Sequence, residues 1–128
     1  MKLKMILPAT LFILLAAMIG YGQPYALKAK IDFSFTVEGK VLPAGQYDFF
    51  RDSLATAFRV TDGKNSALIP VITRLAIPLY PPPQEPYLVF DVVEGKYLLA
   101  EIWLPGDDGY LTAMTKDKHV HKIVPMKR

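Results

Sequence analysis

The chain has 128 residues, no cysteine, eleven prolines and a formal charge of +3. Disulfides and a lipid-anchored N-terminal cysteine are therefore excluded, and the prolines argue against long helices beyond the N-terminal run. The charge leaves no footprint for nucleic acid, because it is split between the two ends instead of gathered on one face.

Lys2 and Lys4 precede an uncharged apolar run from Met5 to Ile19, and Gly20-Tyr21-Gly22 follows with small residues at a cleavage site. This order predicts a signal-peptide helix over residues 1–22. The run is shorter than the ~20 apolar residues of a comfortable bilayer crossing. An uncleaved anchor is the alternative. The general secretory route to the periplasm or the exterior is the expectation, with membrane contact only through this segment before cleavage.

Cleavage after Gly22 leaves 106 residues, the size of one domain, which can bury roughly 60–70% of its unfolded surface. Residues 23–115 carry eight Lys/Arg against eleven Asp/Glu. Residues 116–128 carry five basic residues against Asp117. A β-domain over 23–115 is thus expected to precede a basic C-terminal segment, 116–128, able to add a last short strand.

The hydrophobic period is two almost throughout. Ile31, Phe33, Phe35 and Val37 alternate with Asp32, Ser34, Thr36 and Glu38, the mark of a half-buried strand. Gly39 suits a left-handed position, and Leu42-Pro43-Ala44-Gly45 reads as a type I turn. Tyr47–Arg51 and Leu54–Thr61 follow as strands, and Asp62-Gly63 is a strong hairpin signal. Ala67–Leu75 resumes the ladder. Pro70 within it makes the strand an edge or a bulged one. Pro78–Pro86 is too proline-rich for a ladder and reads as a stiff polyproline-like crossing.

The last hairpin sets Tyr87–Val92 against Lys96–Leu104 across Val93-Glu94-Gly95, taken as a three-residue loop with Gly95 at a bulge. That parity puts Leu88, Phe90, Val92, Leu98, Ala100, Ile102 and Leu104 in the core. It puts Tyr87, Val89, Asp91, Tyr97, Leu99, Glu101 and Trp103 on the other face. Tyr110–Met114 and Val120–Val124 are candidate closing strands. Val37-Glu38-Gly39-Lys40 recurs as Val93-Glu94-Gly95-Lys96, one turn solution used twice. The fold class expected is all-β: one small antiparallel β-sandwich or partly closed β-barrel of about seven strands.

Residues 35–47, with Phe35-Thr36-Val37 followed by Gly39-Lys40-Val41-Leu42-Pro43-Ala44-Gly45-Gln46-Tyr47, resemble the opening signature of a family of small exported bacterial proteins of unknown function. Tyr97-Leu98-Leu99-Ala100-Glu101-Ile102-Trp103 resembles its second signature. The resemblance implies a secreted β-domain and carries no activity with it.

Enzyme chemistry finds little support. There is no cysteine nucleophile, and Ser34, Ser53 and Ser66 lack a strained Gly-x-Ser-x-Gly elbow. The glycines are scattered as single turn residues, so no phosphate loop forms. Asp107-Asp108-Gly109 is a turn with solvated acids, far short of a calcium site.

The sharpest chemical pattern is Asp117-Lys118-His119-Val120-His121. In a strand Asp117, His119 and His121 share a face and can hold Zn²⁺ or Cu²⁺. Lys116, Lys118 and Lys122 oppose a cation there, and an exposed basic tail is the plain alternative. A second candidate is the outer strip of Tyr87, Tyr97 and Trp103 edged by Asp91 and Glu101, suited to a sugar ring or a protein partner. A second layer covering the strip is its plain alternative.

The expected function is a non-catalytic binding or structural module of the cell envelope or exterior, with a protein or glycan partner and no cofactor. Two alternatives stand beside it. One is a small barrel for an apolar or sugar ligand, which needs an enclosed cavity of several hundred Å³. The other is a metal-binding protein or metalloenzyme using His119 and His121.

Overall fold

The computed structural model describes residues 26–76, 85–106 and 109–128. The signal-peptide reading, most of the proline-rich crossing, and Asp107 and Asp108 lie outside those residues.

The alternating run that begins at Ile31 belongs to two strands. β1 (Leu27–Ile31) lies in one sheet and β2 (Phe35–Val37) in the other, so the chain changes sheets at residues 32–34. Ile31, Phe35 and Val37 are all buried. A side chain that points inward from one sheet of a sandwich still points inward from the other, so the alternation does not mark the crossing.

The remaining strands are β3 (Lys40–Leu42), β4 (Gly45–Arg51), β5 (Ala57–Thr61), β6 (Ser66–Pro70), β7 (Thr73–Leu75), β8 (Tyr87–Val93), β9 (Lys96–Trp103), β10 (Gly109–Leu111) and β11 (Val120–Pro125). One sheet is the antiparallel ladder β1-β4-β5-β6. The other runs β11-β8-β9-β10-β7, with β2 paired to β3 and, in parallel through Thr36 and Leu98, to β9. Eleven strands in two sheets, with no closed barrel among the described residues, make a sandwich-like all-β fold.

The space between the sheets is filled by rings and branched aliphatics. Tyr47, Phe49, Phe58, Val60 and Ile69 enter from the first sheet. Phe35, Leu42, Leu88, Phe90, Ile102 and Tyr110 enter from the second. Two edge-to-face pairs link the layers, Phe35–Tyr47 at 5.1 Å and Phe58–Tyr110 at 5.3 Å between centroids. Polar tips of the buried rings are satisfied. Tyr47 Oη donates to the Pro43 carbonyl at 2.5 Å. Tyr110 Oη accepts from Arg51 Nη1 at 3.0 Å and from Arg74 Nη2 at 2.9 Å.

Turn chemistry sets the registers. Glu38 and Gly39 have φ of 50° and 73°, Glu94 and Gly95 of 50° and 77°. The closing pairs are Val37↔Lys40 and Val93↔Lys96. Both loops are therefore two residues long with both φ positive, the type I′ form that matches strand twist. Asp62-Gly63 begins a longer loop, closed by Thr61↔Ser66 and held by the Asp62 carboxylate. Pro70 ends edge strand β6, and after two intervening residues β7 joins the opposite sheet.

The two-residue Glu94-Gly95 loop corrects the expected parity of the last hairpin. Val92 stands opposite Tyr97, Asp91 opposite Leu98 and Phe90 opposite Leu99, whereas Val89 stands opposite Glu101. Ala100 is the extra residue of a β-bulge. Between the turn and the bulge the inward side chains of β9 are therefore Tyr97 and Leu99, not Leu98. Leu99 is buried, and Tyr97 stacks on Phe33 with centroids 3.9 Å apart.

Candidate metal centre

β8 is flanked by β9 on one side and β11 on the other, so Asp91 lies between Leu98 and His121. All three belong to the face turned from the core, and Asp91 is only 5% exposed. His119 lies two residues before His121, just ahead of β11, and comes to the same side of the sheet as Asp91. Its approach is shaped by the chain between β10 and β11. Thr112 donates from its backbone N–H to the Ala100 carbonyl at 2.7 Å and from Oγ1 to the Leu99 carbonyl at 3.0 Å. At the other end of that connection the Asp117 N–H donates to Thr115 Oγ1 at 3.1 Å.

His121 Nδ1 lies 3.1 Å from Asp91 Oδ1, and His119 Nε2 lies 3.7 Å from the same oxygen. The two imidazoles are perpendicular, with centroids 5.1 Å apart. One donor atom from each of Asp91, His119 and His121 falls within 4.8 Å of the others. A tetrahedral ion with ligand distances near 2.0–2.1 Å places its donors roughly 3.3 Å apart. The two separations from Asp91 Oδ1, 3.1 and 3.7 Å, bracket that value.

The protonation of His119 follows from its second contact. Nδ1 sits 2.8 Å from the Asp117 carbonyl, and a carbonyl only accepts, so Nδ1 carries hydrogen and donates. In the neutral ring Nε2 then holds a lone pair aimed at the Asp91 carboxylate. Asp91 Oδ1 is buried and accepts no hydrogen bond among the described residues, although His121 Nδ1 stands 3.1 Å away. Two lone-pair donors facing each other across 3.7 Å, one of them on a buried oxygen, are relieved by a proton or a cation placed between them. A proton satisfies one such contact, whereas a metal ion satisfies all three donors together. The Nδ1–H bond to a backbone carbonyl is also the outer contact that orients a metal-ligating histidine.

This arrangement keeps two of the three expected ligands and replaces the third. Asp117 is exposed and contributes its main-chain carbonyl to His119; its carboxylate is not in the donor group. The carboxylate comes instead from Asp91, 28 positions before His119. His121 remains open to solvent, its side chain 56% exposed against 25% for His119.

The expected aromatic strip is dismantled by the bulge and by burial. Tyr97 points inward. Tyr87 and Trp103 stack on the outer face at 6.0 Å, but Trp103 is 5% exposed and its Nε1 donates to Glu101 Oε1 at 2.9 Å. Burial, then the Glu101 charge, holds the Tyr87 phenol above its ordinary value of 10.0. A groove of about 660 Å³ borders β1, β4 and the C-terminus, with Lys28, Lys30, Asp48, Asp62 and Lys127 around it. Those charges do not suit an apolar ligand. No protein-family model matches this chain, and neither a curated protein nor a solved structure matches it.

Proposed function

We propose that the protein is an exported, non-catalytic module of the cell envelope or exterior that binds a divalent transition-metal ion. Asp91 Oδ1, His119 Nε2 and His121 Nδ1 are the ligands, and water completes the sphere on the open side of His121. The carrying observation is Asp91 Oδ1, buried without a hydrogen bond beside two imidazole nitrogens. Two nitrogens and one carboxylate oxygen suit Zn²⁺ or Cu²⁺ better than Mg²⁺ or Ca²⁺, which prefer oxygen throughout. The apolar run behind Lys2 and Lys4 supports export, as does the resemblance of residues 35–47 to an exported family.

Calorimetric titration of zinc, then copper, into the protein purified after export tests the reading. One ion per chain is expected, lost in Asp91→Asn and in His121→Gln and retained in Asp117→Asn. Absence of binding heat with both metals, or loss of binding in Asp117→Asn with retention in Asp91→Asn, overturns it.

A further inference from the structure

Resting on that metal-binding reading, we infer that the ion acts as a clamp on the C-terminal strand, so that occupancy fixes the leading end of β11 to the sandwich. The donors come from both sides of one strand junction. Asp91 belongs to β8, while His119 and His121 bring in the start of β11.

The two ends of β11 are held very differently. At the trailing end Val124 and Met126 are buried in the core, 6% and 1% exposed. The Met126 N–H donates to the Pro86 carbonyl at 2.9 Å. Lys28 and Lys127 exchange backbone hydrogen bonds of 2.6 and 2.8 Å with each other, tying the tail to β1. Among the described residues the leading end has its ladder to β8 but no comparable burial and no bond to β1. Val120 is 66% exposed and Lys122 is exposed, and among the described residues β11 pairs only with β8 between 120 and 125. What the leading end does have is the Asp91 group. Without an ion the buried Asp91 Oδ1 lacks a hydrogen-bond donor among the described residues, an arrangement that favours separation of the strands. With an ion the same three side chains become a cross-strand staple. A chain with no cysteine has no disulfide to do this work.

The inference also gives a place to the lysines that counted against a metal in the bare sequence. Lys116, Lys118 and Lys122 are exposed and flank the ligands along the chain. They need not touch the ion, and they mark the backbone that the clamp holds down.

Those lysines make the test direct, because trypsin cuts after them. Cleavage after Lys116, Lys118 and Lys122 is followed by mass spectrometry in chelator and in zinc at hundredfold excess over Kd. Cleavage after Lys64, in the exposed β5–β6 loop, is the internal reference. Zinc is expected to slow the three C-terminal cuts about tenfold or more relative to Lys64, since proteolysis follows the population of the open form. It is expected to leave the ratio unchanged in Asp91→Asn and in His121→Gln, the second chosen because its exposed side chain bears little on folding. Calorimetric zinc binding with an unchanged ratio in the native chain overturns the clamp and leaves the metal site standing. Absence of zinc binding overturns both.

Discussion

Trp103 lies across Gly109 so closely that a Cβ placed on the glycine would stand 2.6 Å from ring atoms Cδ2 and Cε2. The two residues are cross-strand partners in β9 and β10. The indole has no cheap way out, because it stacks on Tyr87 and its Nε1 is bonded to Glu101. Gly109→Ala is therefore expected to destabilise the fold by roughly 2–3 kcal/mol, the cost of overpacking. A domain of this size should lose on the order of 10 °C in Tm. Trp103 is the single tryptophan, so its emission should shift to the red as the indole is pushed toward water. An unchanged melt and an unchanged emission maximum would show that the ring is not fixed as described.

The Glu-Gly turns call for a substitution of the opposite sign. Gly95 has φ of +77° and open space around its would-be Cβ, so Gly95→Ala meets only backbone strain, about 1 kcal/mol. Glu94 already bears that strain at φ 50°, as does Glu38 at the matching position of the first turn. Asparagine tolerates the left-handed region better than glutamate. Glu38→Asn and Glu94→Asn should each add about 0.5 kcal/mol of stability, and close to the sum when combined, because the two turns share no residue. Urea unfolding of the single and double variants measures this. A loss in either single variant refutes the type I′ assignment of that turn.

The same hairpins show how far the sequence could be read. Alternation identifies β2, and the apolar runs identify β8 and β9, but β1 is missed apart from its last residue, Ile31; the repeated Val-Glu-Gly-Lys signals one turn used twice. The bulge at Ala100 leaves no comparable trace, since Leu98, Leu99 and Ala100 are all apolar and either parity hides apolar groups. One displaced residue moved Tyr97 into the core. The change of sheet between Ile31 and Phe35 is silent for the reason already given. The closeness of His119 to His121 was legible because their spacing is local. The approach of Asp91 was not, since it depends on β11 pairing with β8, and only that register brings His121 opposite it. Spacing instead pointed to Asp117, which is near in sequence but turned to use its carbonyl.

Acid stability reports on the β5–β6 loop. The Asp62 carboxylate accepts from the Asn65 N–H at 2.6 Å, from Asn65 Nδ2 at 3.1 Å and from the Lys64 N–H at 2.8 Å. The Asn65 backbone bond, then its side-chain bond, then the Lys64 bond hold Asp62 below its ordinary value of 3.8. A carboxyl group depressed in the folded state binds its proton more weakly there than in the unfolded chain. Its contribution is therefore complete above pH 3.8 and disappears as the pH falls through the lower folded value. Asp62→Asn keeps an oxygen for the two backbone N–H groups but cannot ionise. The native chain should melt higher than the variant at pH 5, and the gap should narrow as the pH falls below 3.8 and through the lower folded value. Asp52, lowered chiefly by its bond to the Thr56 hydroxyl, titrates in the same direction in both proteins and so cancels from the difference. Thermal melts of the pair in steps of half a pH unit supply the measurement. A gap that stays constant from pH 5 to well below 3.8 would mean that the Asp62 charge takes no part in holding the loop.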